Sequence, residues 1–227
     1  MQNLKLTLES KIDDTVRIRI LSEIVDNTYD FAIWPKYNEL TLELANSHLP
    51  NSDSTLAFIY NKYKGYALNN RGLQIEYEGN RVSALKYYQE SVTLETDNYK
   101  KANTLYRIAV KLKSSGRKTS SRNYAERALG FQPSLGKAYL LIASLYASSA
   151  NSCGNSQFNK RAVYWLAAQT AQKAARVDAS IRKTANNFIA SYNGRAPSKT
   201  DIFTDGSQGK RVTFSCWIRR SVKVPYL

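Results

Sequence analysis

The sequence predicts an all-α solenoid of helical hairpins that ends in a small β-hairpin, and three observations carry that reading. Tyr139, Ile142, Ala143 and Tyr146 are spaced to fall on one helical face. After a Ser/Asn/Gly-rich interruption, Ala167, Ala171 and Ala174 form a second comb, whose small residues let a partner helix approach closely. The first comb recurs thirty-four positions upstream as Leu105, Ile108, Ala109 and Leu112. A fixed period of that size marks stacked two-helix units, each of which needs its neighbours to bury its apolar face. Near the C-terminus the period drops to two: Val212, Phe214, Cys216 and Ile218 alternate with Thr213, Ser215 and Trp217, as in a half-buried strand.

The first helix is predicted over residues 12–29, with Asp13, Asp14 and Thr15 supplying N-cap oxygens and Val16, Ile20, Leu21, Ile24 and Val25 an apolar stripe. A second starts near Pro35, a residue tolerated in a first turn, and carries Leu40, Leu42, Leu44, Ala45 and Leu49. Together they form a degenerate N-terminal helical repeat over residues 1–54. Residues 49–55, LPNSDST, are a turn cluster whose side chains compete for backbone hydrogen bonds.

The solenoid proper is predicted over 55–192. An aromatic-rich helix from about Leu56 to Tyr77 holds Phe58, Tyr60, Tyr63 and Tyr66, then Leu68, Gly72 and Ile75, before Gly79 breaks it. Ala84, Tyr88 and Ser91 space the answering helix. From Ser91 to Ala128 the interval is 37, so a short insertion falls around Glu95 to Tyr99. The next unit, Ala102 to Leu135, turns at Ser114-Ser115-Gly116 and ends at Pro133. Its successor is longer by twelve residues, an insertion near 147–160 with core SSANSCGNSQF. Ala185, Phe188, Ile189 and Tyr192 then mark a capping helix over 180–192, the unit that turns a polar face to water. Residues 193–227 are a C-terminal extension in which the strand through Val212 pairs with one through Val222, Val224 and Tyr226, across Arg219, Arg220 and Ser221.

Charge divides the chain. Residues 1–99 hold 10 Lys/Arg and 14 Asp/Glu, and residues 100–227 hold 23 and 4, for a net charge of +15 overall. Such asymmetry points to an acidic partner. Solvated helix faces rich in Lys and Arg are the competing explanation. No apolar run reaches the length of a membrane span.

Nothing points to catalysis. His48 is the one histidine, without a partner evident in sequence, and no phosphate-cradling Gly-rich motif occurs. Cofactors are not expected. Cys153 and Cys216 with one distant His are too few for a structural zinc site, so no metal is expected either. The two cysteines lie in the two features the repeat does not explain, the insertion and the extension. A bridge between them would tether one to the other and imply an oxidising compartment; the alternative is two buried thiols.

From about Tyr66 to Tyr192 the chain resembles the tetratricopeptide-repeat family, most specifically in YLLIASLY and AERALGFQP. The resemblance implies a right-handed superhelix whose inner groove, lined by the first helix of each unit, takes a protein or peptide. Carried over, the groove positions are Tyr66, Asn69, Leu73 and Tyr77, then Asn103, Tyr106, Val110 and Lys113, then Lys137, Leu140 and Ser144, then Lys183 and Asn186 in the cap. One subclass clamps a peptide's terminal carboxylate; Lys137 matches one clamp position, but Leu73 and Leu141 replace polar residues at two others. The segment DDTVRIRILSEIVDNTY is similar to repeat regions of bacterial sensor proteins. SKTDIF, the Cys216-Trp217-Ile218 run and Ser152-Cys153-Gly154 resemble the C-termini of bacterial exported repeat proteins.

The expected function is therefore a non-enzymatic scaffold that binds a protein or peptide in its groove, with Tyr66, Tyr77 and Tyr106 as anchors or as packing residues between units. The alternative is a basic surface for a polyanion, built on Lys111, Lys113, Arg117, Lys118, Arg122, Arg219 and Arg220, although nucleic acid is not the expected partner. The N-terminus lacks the basic-then-apolar pattern of a signal peptide. With the bridge and the exported look of the extension, the expected location is periplasmic or cell-surface with the leader absent from this chain, cytoplasmic being the alternative.

Overall fold

A computed structural model describes residues 2–28 and 32–226. Tyr29, the last residue of the predicted first helix, lies outside the described residues. The architecture is all-α, antiparallel helical hairpins with one two-stranded antiparallel β-hairpin. Among the described residues, no helix is long and apolar enough to cross a membrane. Packing separates two compact units, residues 1–108 and 109–227.

The first unit contains α1 (Gln2–Glu9), α2 (Asp14–Asp26), α3 (Trp34–His48), α4 (Ser54–Tyr77), α5 (Arg81–Leu94) and the start of α6 (Asn98–Ser114). Sequence pattern missed α1, which buries no residue of its own and leans Leu4 and Leu8 on α2. The caps sit where short polar residues precede apolar runs. Asp13 accepts from the Thr15 N–H, and Asp53 from those of Thr55 and Leu56, satisfying donors that a helix start leaves free. Gly79, at φ 88°, supplies the left-handed residue that turns α4 into α5. His48 is a packing residue: its Nε2 lies 2.9 Å from an Asp14 carboxylate oxygen, and its ring stacks on Tyr60 at 4.8 Å.

α4 packs against α5. Gly72 is buried in α4, and a Cβ there would lie 2.7 Å from the ring of Tyr88, a fully buried residue of α5. The absent side chain makes room for a whole aromatic ring. Next to it, the Arg71 guanidinium turns along its own helix to donate to Gln74 at 3.1 Å, while Leu68 is buried.

The second unit contains the rest of α6, α7 (Lys118–Phe131), α8 (Gly136–Ala147), α9 (Gln157–Val177), α10 (Arg182–Asn193), α11 (Lys199–Asp205), β1 (Arg211–Phe214) and β2 (Arg220–Lys223). Ala167, Ala171 and Ala174 are fully buried on α9, which packs against both α8 and α10. The insertion is only partly a loop. It contributes a 3₁₀ turn at Ala150–Ser152 and then lengthens α9 to 21 residues against 14 for α7.

The extension holds one element that the sequence reading lacked and needs one correction. Residues 199–205 form a helix, because Ser198 and Asp201 exchange hydrogen bonds in a capping box. The first strand stops at Phe214, so Cys216 and Ile218 lie in the connection rather than on a strand. There the Ile218 N–H points at the Cys216 sulfur at 3.4 Å, and Arg219 takes a φ of 45°. Strand pairing runs Arg211↔Lys223, Val212↔Val222, Thr213↔Ser221 and Phe214↔Arg220. Phe214, Ile218, Val222 and Val224 are buried.

The hairpin is fastened by a residue that sequence pattern assigned elsewhere. Arg122 is 7% exposed, its guanidinium donates to the Ile218 carbonyl at 2.6 Å, and it lies 5.3 Å from the centre of the Trp217 ring. The Trp217 indole N–H in turn donates to Ser149 Oγ at 3.1 Å. Arg122→Met keeps most of the packing and strands a buried carbonyl. We expect it to lower the urea-unfolding free energy of the second unit by about 1–3 kcal/mol; an unchanged midpoint would show that the bond contributes nothing net.

Candidate interaction cleft

Three of the predicted groove residues meet in the first unit. Tyr66 and Asn69 of α4 and Asn103 of α6 line one cavity of about 230 Å³. Repeat spacing explains the meeting: with the short insertion around Glu95 to Tyr99, equivalent positions of α4 and α6 are 37 residues apart, so Tyr66 answers Asn103 and Asn69 answers Tyr106. Two side-chain bonds cross from α6 to α4. Lys100 Nζ donates to the Tyr66 hydroxyl at 2.7 Å and sits 4.4 Å from its ring centre. Arg107 donates to Asn69 Oδ1 at 3.2 Å and lies 5.3 Å from the Tyr88 ring centre.

Asn70, Thr104, Glu95 and Asp26 complete the polar wall. Desolvation by that wall pushes the Asp26 carboxyl above the usual carboxylate range, with Lys100 pulling the other way, although the residue keeps substantial exposure. The bond to Tyr66 holds the Lys100 ammonium above its ordinary value. The cleft thus presents two cations whose hydrogen-bond partners are neutral, together with amides that both donate and accept.

The remaining groove candidates are dispersed. Leu73 and Tyr106 are half-buried and Tyr77 is 75% exposed, and none of them lines that cavity. Burial pushes the Tyr106 hydroxyl up. In the second unit Lys113 Nζ donates to Ser144 Oγ at 2.7 Å. There Val110, Lys183 and Asn186 are exposed, while Lys137 and Leu140 are half-buried.

Basic residues grouped by sequence do not form one free patch. Lys111 is half-buried and Arg117 and Arg219 are exposed. Lys118 holds the insertion by donating to the Ser148 carbonyl and Ser149 Oγ at 3.0 and 2.9 Å. Arg122 is buried, and Arg220 pairs with Glu126 at 3.3 Å. Cys153 and Cys216 are bonded, with Cα atoms 5.4 Å apart. Lys100 and Arg107 escaped the sequence reading because neither stands at a carried-over groove position; the available signal was their place on α6, one turn either side of Asn103. Asp26 had no such signal, because it arrives from α2.

No family model matches the chain. It is 28% identical over 152 residues to the photosystem I assembly protein Ycf3 of Cyanophora paradoxa, covering 61% of this chain and 80% of that protein. For the same protein of Synechococcus elongatus the identity is 27% over 153 residues, covering 62% and 80%. For that of Cuscuta gronovii it is 29% over 115 residues, covering 47% and 68%.

These relatives overturn the expected periplasmic or cell-surface location, since they are assembly proteins of a photosynthetic complex rather than exported proteins. The step that fails is the one from bridge to compartment. A short Cα separation reports where the fold puts two cysteines, not where the protein resides. The likeness of the extension to exported proteins stays a resemblance of short segments. The chain thus combines the helical-hairpin architecture of a tetratricopeptide-type solenoid with a likeness to photosystem I assembly proteins.

Proposed function

We propose that the chain is a non-enzymatic interaction scaffold that holds an extended segment of a protein partner in the cleft between α4 and α6. In this reading it serves the assembly of a multi-subunit complex, as its photosystem I assembly relatives do. The carrying observation is the cross-linked ladder of Tyr66, Asn69, Lys100, Asn103 and Arg107. Asn69 and Asn103 are suited to a peptide backbone, which offers N–H and C=O groups together. Lys100 and Arg107 add charge-assisted bonds to side-chain carboxylates or carbonyls, and Tyr66 is a stiff ring with a polar tip. Their mutual bonds hold the side chains in place before a partner arrives, which reduces the ordering cost of binding.

Selection from a random-peptide phage library, followed by calorimetry on the selected peptides, tests the reading. Asn69→Ala/Asn103→Ala is expected to weaken binding about tenfold or more, while Lys183→Ala leaves it unchanged. Selected peptides that bind the double variant as tightly as the native chain would remove the cleft from consideration.

A further inference from the structure

The second unit holds 20 Lys/Arg against 4 Asp/Glu, and the first 13 against 14. Within the second unit, residues 206–226 hold Lys210, Arg211, Arg219, Arg220 and Lys223 and no acidic residue. Two of these cations are cross-strand partners, with the Arg211 guanidinium donating to Ser221 Oγ at 3.1 Å. Arg211 on β1 is directly opposite Lys223 on β2, both on the exposed face of the hairpin. The Val224 N–H bonds to the Lys210 carbonyl at 2.9 Å, so the neighbouring Arg211–Lys223 pair is the non-hydrogen-bonded kind, in which side chains stand closest. Like charges directly opposite destabilise a sheet. Lys210 adds a third exposed cation, and among the described residues none of the three has an ion-pair partner.

An aromatic ring is fixed beside them. Tyr226 is 66% exposed, with Lys223 Nζ 4.8 Å from its ring centre. Gly209, at φ 71°, comes so near that a Cβ there would lie 2.8 Å from the Tyr226 hydroxyl oxygen. A ring exposed to solvent yet seated against backbone, next to Arg and Lys, has the composition of an interaction hot spot.

We propose that Lys210, Arg211, Lys223 and Tyr226 form a docking face for an acidic segment of a protein partner, separate from the cleft of the first unit. A carboxylate between Arg211 and Lys223 turns their repulsion into two charge-assisted bonds, and Tyr226 covers the adjoining apolar part of the segment. The face spans strands of only four residues each, which suits a few carboxylates better than a phosphate backbone contacted many times over.

The probe is a fluorescein-labelled peptide of alternating Glu and Gly with one central Leu, titrated with the full chain at low ionic strength. Lys210→Gln/Arg211→Gln/Lys223→Gln is expected to weaken binding about tenfold or more, as are two variants that leave the charge untouched, Gly209→Ala and Tyr226→Ala. Tyr226→Ala carries the test alone if Gly209→Ala loosens the hairpin. Loss only in the charge variant would overturn the proposal, leaving diffuse attraction, and so would tighter binding to polyuridylate or to phosphatidylglycerol vesicles than to the peptide. Arg211→Glu is expected to raise the thermal midpoint while abolishing binding; a lowered midpoint refutes the cross-strand repulsion. Asn69→Ala/Asn103→Ala should leave this titration unchanged, so failure here and failure of the cleft are read separately.

Discussion

Serine in place of Cys216 is expected to lower the stability of the second unit by about 4 kcal/mol, the chain-entropy contribution of a bridge closing a loop of this size. The bridged residues are 63 apart in sequence, so the unfolded chain loses much of its freedom when they are joined. The native contacts of the hairpin survive the substitution, because Phe214, Ile218, Val222 and Val224 stay buried and Arg122 still donates to the Ile218 carbonyl. A two-stranded hairpin is nevertheless marginal in water by itself. Urea unfolding of the oxidised protein, of the same protein with excess dithiothreitol, and of Cys216→Ser makes the comparison. The last two midpoints should coincide well below the first. If dithiothreitol leaves the native midpoint where it was, the sulfurs are not bonded in solution.

Truncation at Tyr88 is the second large effect. Its ring is fully buried over Gly72, its hydroxyl donates to Glu76 at 2.8 Å, and Arg107 rests on its other side. Tyr88→Ala is expected to cost about 3–5 kcal/mol in the first unit, as truncation of large buried aromatic residues does. Gly72→Ala acts from the opposite side. Its new methyl must displace the ring, an overpacking worth about 1–3 kcal/mol. Combining the two removes the clash, so the double variant should lose less than the sum of the single losses, with a coupling of about 0.5–3 kcal/mol. Strict additivity in urea unfolding would show that Gly72 and Tyr88 do not share this contact. Tyr88→Ala also takes away the surface on which Arg107 rests, so peptide affinity in the cleft should fall with it.

Much of the fold was legible because helix formation is a local matter. Leu105, Ile108, Ala109 and Leu112 are buried where they were expected, as are Ile142, Ala143 and Tyr146, with Tyr139 half-buried. The Ser/Asp/Asn caps and the glycines at 79 and 116 end helices for reasons that reside in a few neighbouring residues. α11 was legible in principle, since Ser198 and Asp201 have the spacing of a capping box. It was missed because the surrounding composition is poor in apolar periodicity. Part of the cleft was legible as well: the groove positions carried over from the tetratricopeptide resemblance include Tyr66, Asn69 and Asn103, and Lys100 and Arg107 stand one helical turn either side of Asn103.

Other features depend on distances that no local pattern encodes. Arg122 reads as one basic residue among many along α7, yet it is buried, because the extension returns ninety-six residues later to place the Ile218 carbonyl beside it. Asp26 joins the cleft from α2 for the same kind of reason, and the insertion divides between a loop and two added turns of α9 according to what can pack on α8 and α10. Periodicity and capping thus settle which residues are helical and which face is apolar, since both follow from rise per residue and the hydrogen bonds of a helix end. Three-dimensional packing settles which charges stay exposed and which side chains meet, since each depends on where the backbone returns after tens of residues.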